Sequence, residues 1–146
     1  MSQIVGIIVP IPKELIERLL TEKRNVLVKY TSRNGFKKIS KNDRVLFYAS
    51  RSCKEIIGEG RIDGIYCLTP NEALNKFGDK LFIDENELET YVLRQPNRTP
   101  LKKMLVLALC KLTRYPEPKR FNKPISMAGQ YITKAEYEQF LVSNKQ

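Results

Sequence analysis

The stretch that decides the fold is Lys41 to Leu68, KNDRVLFYASRSCKEIIGEGRIDGIYCL. Lys41-Asn42-Asp43 is rich in turn formers, and Arg44 to Ala49 is a short aromatic and β-branched run, the composition of a buried strand. Ser50-Arg51-Ser52-Cys53-Lys54-Glu55 makes a polar tip. Ile56 to Leu68 then returns as a long strand, so the segment reads as a β-hairpin. Gly58, Gly60 and Gly64 fall where bulges or bends are expected, and closely spaced glycines let a strand coil sharply. A curled or closed barrel needs such corners.

Working outward, Ile4 to Val9 is an apolar first strand stopped by Pro10 and Pro12. Pro12 suits the first turn of a helix, and Leu15, Ile16, Leu19 and Leu20 recur at helical spacing, which predicts a helix over about Pro12 to Glu22. Val26 to Tyr30 reads as the second strand. Thr31 to Asn42 is a basic loop with an Asn34-Gly35 turn signal.

Beyond the hairpin, Thr69-Pro70 with Glu72 carries the spacing of a capping box, predicting a helix that ends near Phe77-Gly78. Asp84 with Glu87 repeats that logic for a helix to about Leu93. Leu101 to Tyr115 fits helix or buried strand by periodicity, and strand is preferred. Pro116, Pro118 and Pro124 impose an extended, irregular course on the stretch that follows. Met127 to Tyr131 reads as a small-residue turn, and Thr133 with Glu136 caps a last helix whose apolar contacts are Tyr137, Phe140 and Leu141. The order is strand, helix, strand, hairpin, helical insertion, strand, helix. That is α+β, with helices set apart from a mostly antiparallel sheet.

At 146 residues the chain has the size of one ordinary domain, taken here as 1–146. Lys and Arg number 26 against 16 Asp and Glu, a formal net charge of +10. Such a surplus favours polyanionic partners, of which nucleic acid is the most abundant in cytoplasm. The same excess can simply solvate the surface.

The apolar start lacks a basic n-region and a small-residue cleavage site, so it is not a signal peptide, and no apolar run reaches the ~18 residues of a membrane span. Cys53, Cys67 and Cys110 are odd in number and widely spaced, which argues against a disulfide framework and for a reducing, cytoplasmic setting. The chain contains no His. This removes Ser-His-Asp and Cys-His nucleophile pairs and histidine-ligated metals, and neither a cofactor nor a metal is expected.

The N-terminal strand and helix, then Glu22-Lys23-Arg24-Asn25-Val26-Leu27-Val28-Lys29-Tyr30, then Lys41 to Tyr48 and Gly58-Glu59-Gly60-Arg61-Ile62, together resemble the PUA-like superfamily, with its ASCH and EVE groups the nearest shapes. The chain as a whole, including Lys123 to Ile132, is also similar to an archaeal family of unknown function placed in that superfamily. The resemblance implies a curled PUA-like β-barrel with peripheral helices and a cleft that accepts RNA or a nucleobase, often a modified one. In the ASCH pattern, basic residues after the first helix and in the next strand face the cleft, matching Lys23 or Arg24 and Lys29 here. The acid that such families often place between them is missing.

Some small ASCH proteins resemble amidohydrolases in which Lys, Thr and Glu cooperate without His. The matching Thr position is Leu27 here, so that alternative would have to draw on Lys29, Thr31 and Glu59 in another geometry.

Recognition of nucleic acid needs cations for phosphate, flat rings for stacking and polar groups for base edges. Lys23, Arg24, Lys29, Lys54, Arg114, Arg120 and Lys123 are the candidate cations. Tyr30, Tyr48, Tyr115 and Tyr131 are the candidate rings. Ser50, Arg51 and Ser52 at the hairpin tip, with Gln130, are candidate readers. The expected function is an RNA-binding or modified-base-binding module. The alternatives are a small ASCH-type amidohydrolase acting on modified nucleosides, or a protein-interaction subunit without nucleic-acid binding that uses the acidic Asp84 to Glu89 helix.

Overall fold

The computed structural model describes residues 3–21, 24–30, 36–50, 54–94 and 102–143. In chain order these form β1 (Ile4–Pro10), α1 (Lys13–Thr21), β2 (Val26–Lys29), β3 (Arg44–Tyr48), β4 (Ile56–Leu68), α2 (Pro70–Phe77), a 3-10 turn (Gly78–Lys80), α3 (Glu85–Leu93), β5 (Met104–Lys119), β6 (Gln130–Thr133) and α4 (Lys134–Ser143).

All six strands join one sheet in the order β2-β5-β4-β3-β1-β6. β1 and β3 run parallel, and every other neighbouring pair is antiparallel. The hairpin forms as expected, with Arg44 opposite Arg61 and Phe47 opposite Gly58. Against β5, β4 slips register between Ile56 and Gly58, between Glu59 and Arg61, and between Ile62 and Gly64. Those three interruptions coincide with the glycines and bend the long hairpin.

The sheet does not close. The expected barrel is replaced by an open, coiled sheet, and the chain after α2 caps the outer edge of β2 at Val26. Phe82 N–H donates to the Val26 carbonyl at 2.9 Å, and Leu81 bridges to Val26 in parallel. The chain between α2 and α3 therefore meets this edge at Val26, while Leu27, Val28 and Lys29 face a cleft.

Two further corrections concern the C-terminal third. β5 continues through Pro116 and Pro118, since pairing with β4 jumps from Arg114 to Lys119 and the prolines fall inside that gap, where no ladder donor is needed. Gln130 and Tyr131 are not part of a turn: Gln130–Thr133 is an edge strand on β1, with Tyr131 opposite Ile7 and Ile132 opposite Gly6.

Alternation along the strands divides the core in two. Ile7, Val9, Val45 and Phe47 pack beneath α1, α2 and α3, joined by Ile16, Leu19, Ala73, Leu88 and Val92. Ile8, Leu46 and Ile132 point the other way and meet Tyr115 and Phe140 under α4. Leu141, expected as a contact of α4, is 37% exposed.

A candidate binding cleft

Between the end of β1, the start of α1, β2 and α3 lies a cleft of about 690 Å³. This is the size range of small-ligand pockets. Val9, Ile11, Leu15, Leu27, Val28, Phe82 and Ile83 give it an apolar lining. Coiling of the sheet brings β1 and β2 to one opening although β5, β4 and β3 lie between them in strand order.

Polar groups enter from three sides. Lys29, the last residue of β2, lies on the lining, and Glu14 of α1 and Asn86, Glu87, Thr90, Tyr91 and Arg94 face it from or beside α3. Among the described residues no carboxylate pairs with Lys29. Burial alone lowers its pKa below the ordinary lysine value, because a desolvated ammonium has no opposite charge to offset the lost hydration.

Glu87 is already engaged. It accepts from Arg18 and from the Asp84 backbone N–H, and the Arg18 hydrogen bond leads the causes that hold its carboxyl below the usual range. The Tyr91 hydroxyl accepts from the Tyr30 N–H at 2.8 Å, and the two rings lie 5.1 Å apart. The Tyr30 hydroxyl is buried with no hydrogen-bond partner among the described residues, and desolvation raises its pKa. Lys102 Nζ lies 5.5 Å from the Tyr30 ring.

The other expected site residues are dispersed. Lys23, Arg51, Ser52 and Thr31 lie outside the described residues. Arg24 lines a separate, acidic hollow with Asp79, Asp84 and Glu85. Ser50 is half-buried and Lys54 exposed at the hairpin tip. Arg114 is tied to Glu17 of α1 at 2.8 Å, Arg120 lies 3.9 Å from Glu55, and Lys123 bonds Glu136 at 3.0 Å. Gln130 accepts from the Ser126 N–H at 2.8 Å and so secures its own loop. The Tyr131 ring abuts Phe36 edge-on, with its hydroxyl accepting from the Lys38 N–H at 3.0 Å.

Tyr115 and Glu59 belong to the other side of the sheet. Glu59, only 8% exposed, accepts from the Tyr115 and Tyr137 hydroxyls at 2.8 and 2.7 Å and pairs with Arg44. Lys29 and Glu59, two of the three residues named for the hydrolase alternative, are thus held in different places.

Tyr91, Asn86, Thr90 and Arg94 were not legible as site residues, because α3 reads as an acidic, solvated helix. Its inward face was nonetheless marked by Leu88, Tyr91 and Val92 at helical spacing. Among the described residues no group of three or more metal-ligating side chains occurs, and no helix is long and apolar enough to cross a membrane.

The fold is similar to that of solved ASCH proteins. The crystal structure of ASCH from Zymomonas mobilis superposes with a TM-score of 0.77 over 97% of both chains at 16% identity. The N-terminal domain of Staphylothermus marinus McrB gives 0.58 over 97% of this chain and 98% of its own, also at 16% identity. In sequence, an uncharacterised protein of Methanocaldococcus jannaschii is 31% identical over 107 residues, covering 67% of this chain and 96% of the relative. Residues 4–134 match the profile of the family described as Domain of unknown function (DUF365), and the chain belongs to that family.

Proposed function

We propose that this protein is a cytoplasmic, single-domain RNA-binding or modified-nucleobase-binding module that takes a base into the cleft over Lys29. The observation that carries the reading is the half-buried Lys29 ammonium, which no described carboxylate pairs, on a lining that joins aliphatic side chains to a few polar groups. An ion left without a partner costs stability, and such a cost is typical of a site kept for a ligand.

The remaining lining suits a flat, polar-edged ligand. Aliphatic side chains and the Tyr91 ring offer apolar area for a base, whereas Asn86 and Thr90 offer hydrogen-bonding edges. Lys29 is a donor for a carbonyl oxygen or a phosphate, and Arg94 adds a cation at the same opening. The formal net charge of +10 favours approach of a polyanion. The ASCH fold is consistent with this use.

Titration with a panel of nucleosides and a single-stranded RNA oligonucleotide, followed by backbone amide NMR, tests the reading. Shifts concentrated at Lys29, Thr90 and Tyr91 are expected. Shifts confined to Glu85 and Glu89, or none at low salt, would remove it.

A further inference from the structure

The α4 side of the sheet carries a charged cluster that the cleft does not use. Arg44 on β3 and Arg61 on β4 are direct cross-strand partners. Arg44 shares its face with Leu46 and Tyr48, two and four residues on in the same strand, and Leu46 packs in the core under α4. Like charges placed opposite each other in a sheet destabilise it.

Only one of the two is neutralised. Arg44 donates to Glu59, whose second oxygen is taken by the Tyr115 and Tyr137 hydroxyls. Its guanidinium carbon also lies 4.5 Å from the centre of the Tyr137 ring. Arg44 is therefore fixed by a buried carboxylate beneath it and an aromatic ring beside it. Arg61 donates to the Asn42 carbonyl at 3.3 Å, and no described carboxylate comes within ion-pair reach of it. Asp63, two residues on, stands exposed at the bulge between Ile62 and Gly64.

We infer that Arg44 and Arg61, with Tyr137 as a wall, form a binding site for a phosphate group on the face opposite the cleft. A guanidinium has five N–H donors, and the Glu59 contact engages Arg44 through Nη1, so donors remain on both arginines for a tetrahedral oxyanion. An oxyanion placed there converts the cross-strand repulsion into charge-assisted hydrogen bonds. Glu59 is the preorganising element: it offsets the Arg44 charge in the free protein and holds that side chain in place. Burial first, then Glu59, pushes the Tyr137 hydroxyl up to about 12, so the wall stays uncharged at neutral pH. With this net charge, the favoured source is the backbone of a nucleic acid rather than free phosphate.

Titration of the intact protein with inorganic phosphate, and separately with a single-stranded RNA lacking a terminal phosphate, tests this through the arginine Nε–H NMR signals. Saturable shifts of Arg44 and Arg61 are expected with either probe, and a stronger response to RNA identifies the diester backbone as the source. Arg61→Gln should weaken phosphate binding about tenfold, the size of one lost charged hydrogen-bond set, while Arg61→Lys loses less. Reading the Arg44 and Arg61 Nε–H signals apart from the amide signals of the cleft residues separates this site from the cleft. Absence of saturable shifts at the two arginines, or equal affinity in Arg61→Gln, overturns the assignment.

Discussion

A lysine ammonium in a partly dry pocket gives up hydration, and Lys29 does so with no described carboxylate in ion-pair contact. Its lowered pKa means that the folded state disfavours the charged form, and that stability attributable to this group rises as pH rises toward the ordinary lysine value. Lys29→Met should consequently stabilise the protein by roughly 1 kcal/mol, seen as a Tm higher by a few degrees, while weakening ligand binding. An unchanged or lower Tm would mean that Lys29 serves the fold. Glu59 is the opposite case. Glu59→Ala strands Arg44 and two tyrosine hydroxyls, and a loss of about 3 kcal/mol is expected in denaturant titration, the lower end for a broken buried pair because Arg44 keeps some solvent contact.

The tyrosines around Glu59 give a pH signature. Burial, then the adjacent carboxylate, raises the Tyr115 and Tyr137 hydroxyls above their ordinary value of 10.0. A raised folded-state value contributes stability that is complete below about pH 10 and lost as pH climbs through the folded-state range, near 12 for Tyr137. Stability should fall between about pH 10 and 12, and Tyr137→Phe should flatten that fall. An identical alkaline profile in the variant would detach the effect from this network.

At the scale of elements, local chemistry was the readable part. Asp84 and Glu87 form the expected capping box, as do Thr69 and Glu72, and Thr133 exchanges hydrogen bonds with Glu136. These are contacts between residues three apart, so spacing alone suffices to find them. Asp84→Ala should cost about 1 kcal/mol, measured by thermal unfolding. β6 was hidden because Gln130–Thr133 is too short for a period-2 pattern, and its strand conformation comes from pairing with β1. The apolar run of β5 was ambiguous by periodicity; β2 on one side and β4 on the other make it a strand. The parallel β1–β3 contact depends on Gly6, where an added Cβ would overlap the Arg44 carbonyl oxygen. Gly6→Ala should destabilise by about 2–3 kcal/mol or more, since backbone rather than a pliable side chain must yield.

For the molecule as a whole, coiling of the sheet creates the cleft, and that coiling depends on non-local pairing. The bulge glycines announced bending, yet nothing in the residue order placed Leu81 and Phe82 along the β2 edge, so an open sheet was not legible. The same gap explains the site. Lys29 was identifiable from the ASCH-like pattern, as the basic residue of the strand that follows the first helix, whereas the α3 residues that share its cleft come from a segment more than fifty residues away, and Tyr131 is held against Phe36 instead. Net charge forecast a polyanion but not which cations would remain unpaired. Arg114 and Lys123, both counted as candidates, are engaged by Glu17 and Glu136.

The decisive measurement is the affinity of the protein and of Lys29→Gln for one single-stranded RNA across a series of salt concentrations. For the unaltered protein, log affinity should fall linearly with log salt, by about 0.7 per phosphate neutralised. Lys29→Gln should bind about tenfold more weakly at low salt, consistent with loss of a charge-assisted contact in a partly dry cleft. Equal affinity of the two proteins, or no binding by either at low salt, would contradict a ligand site built over Lys29.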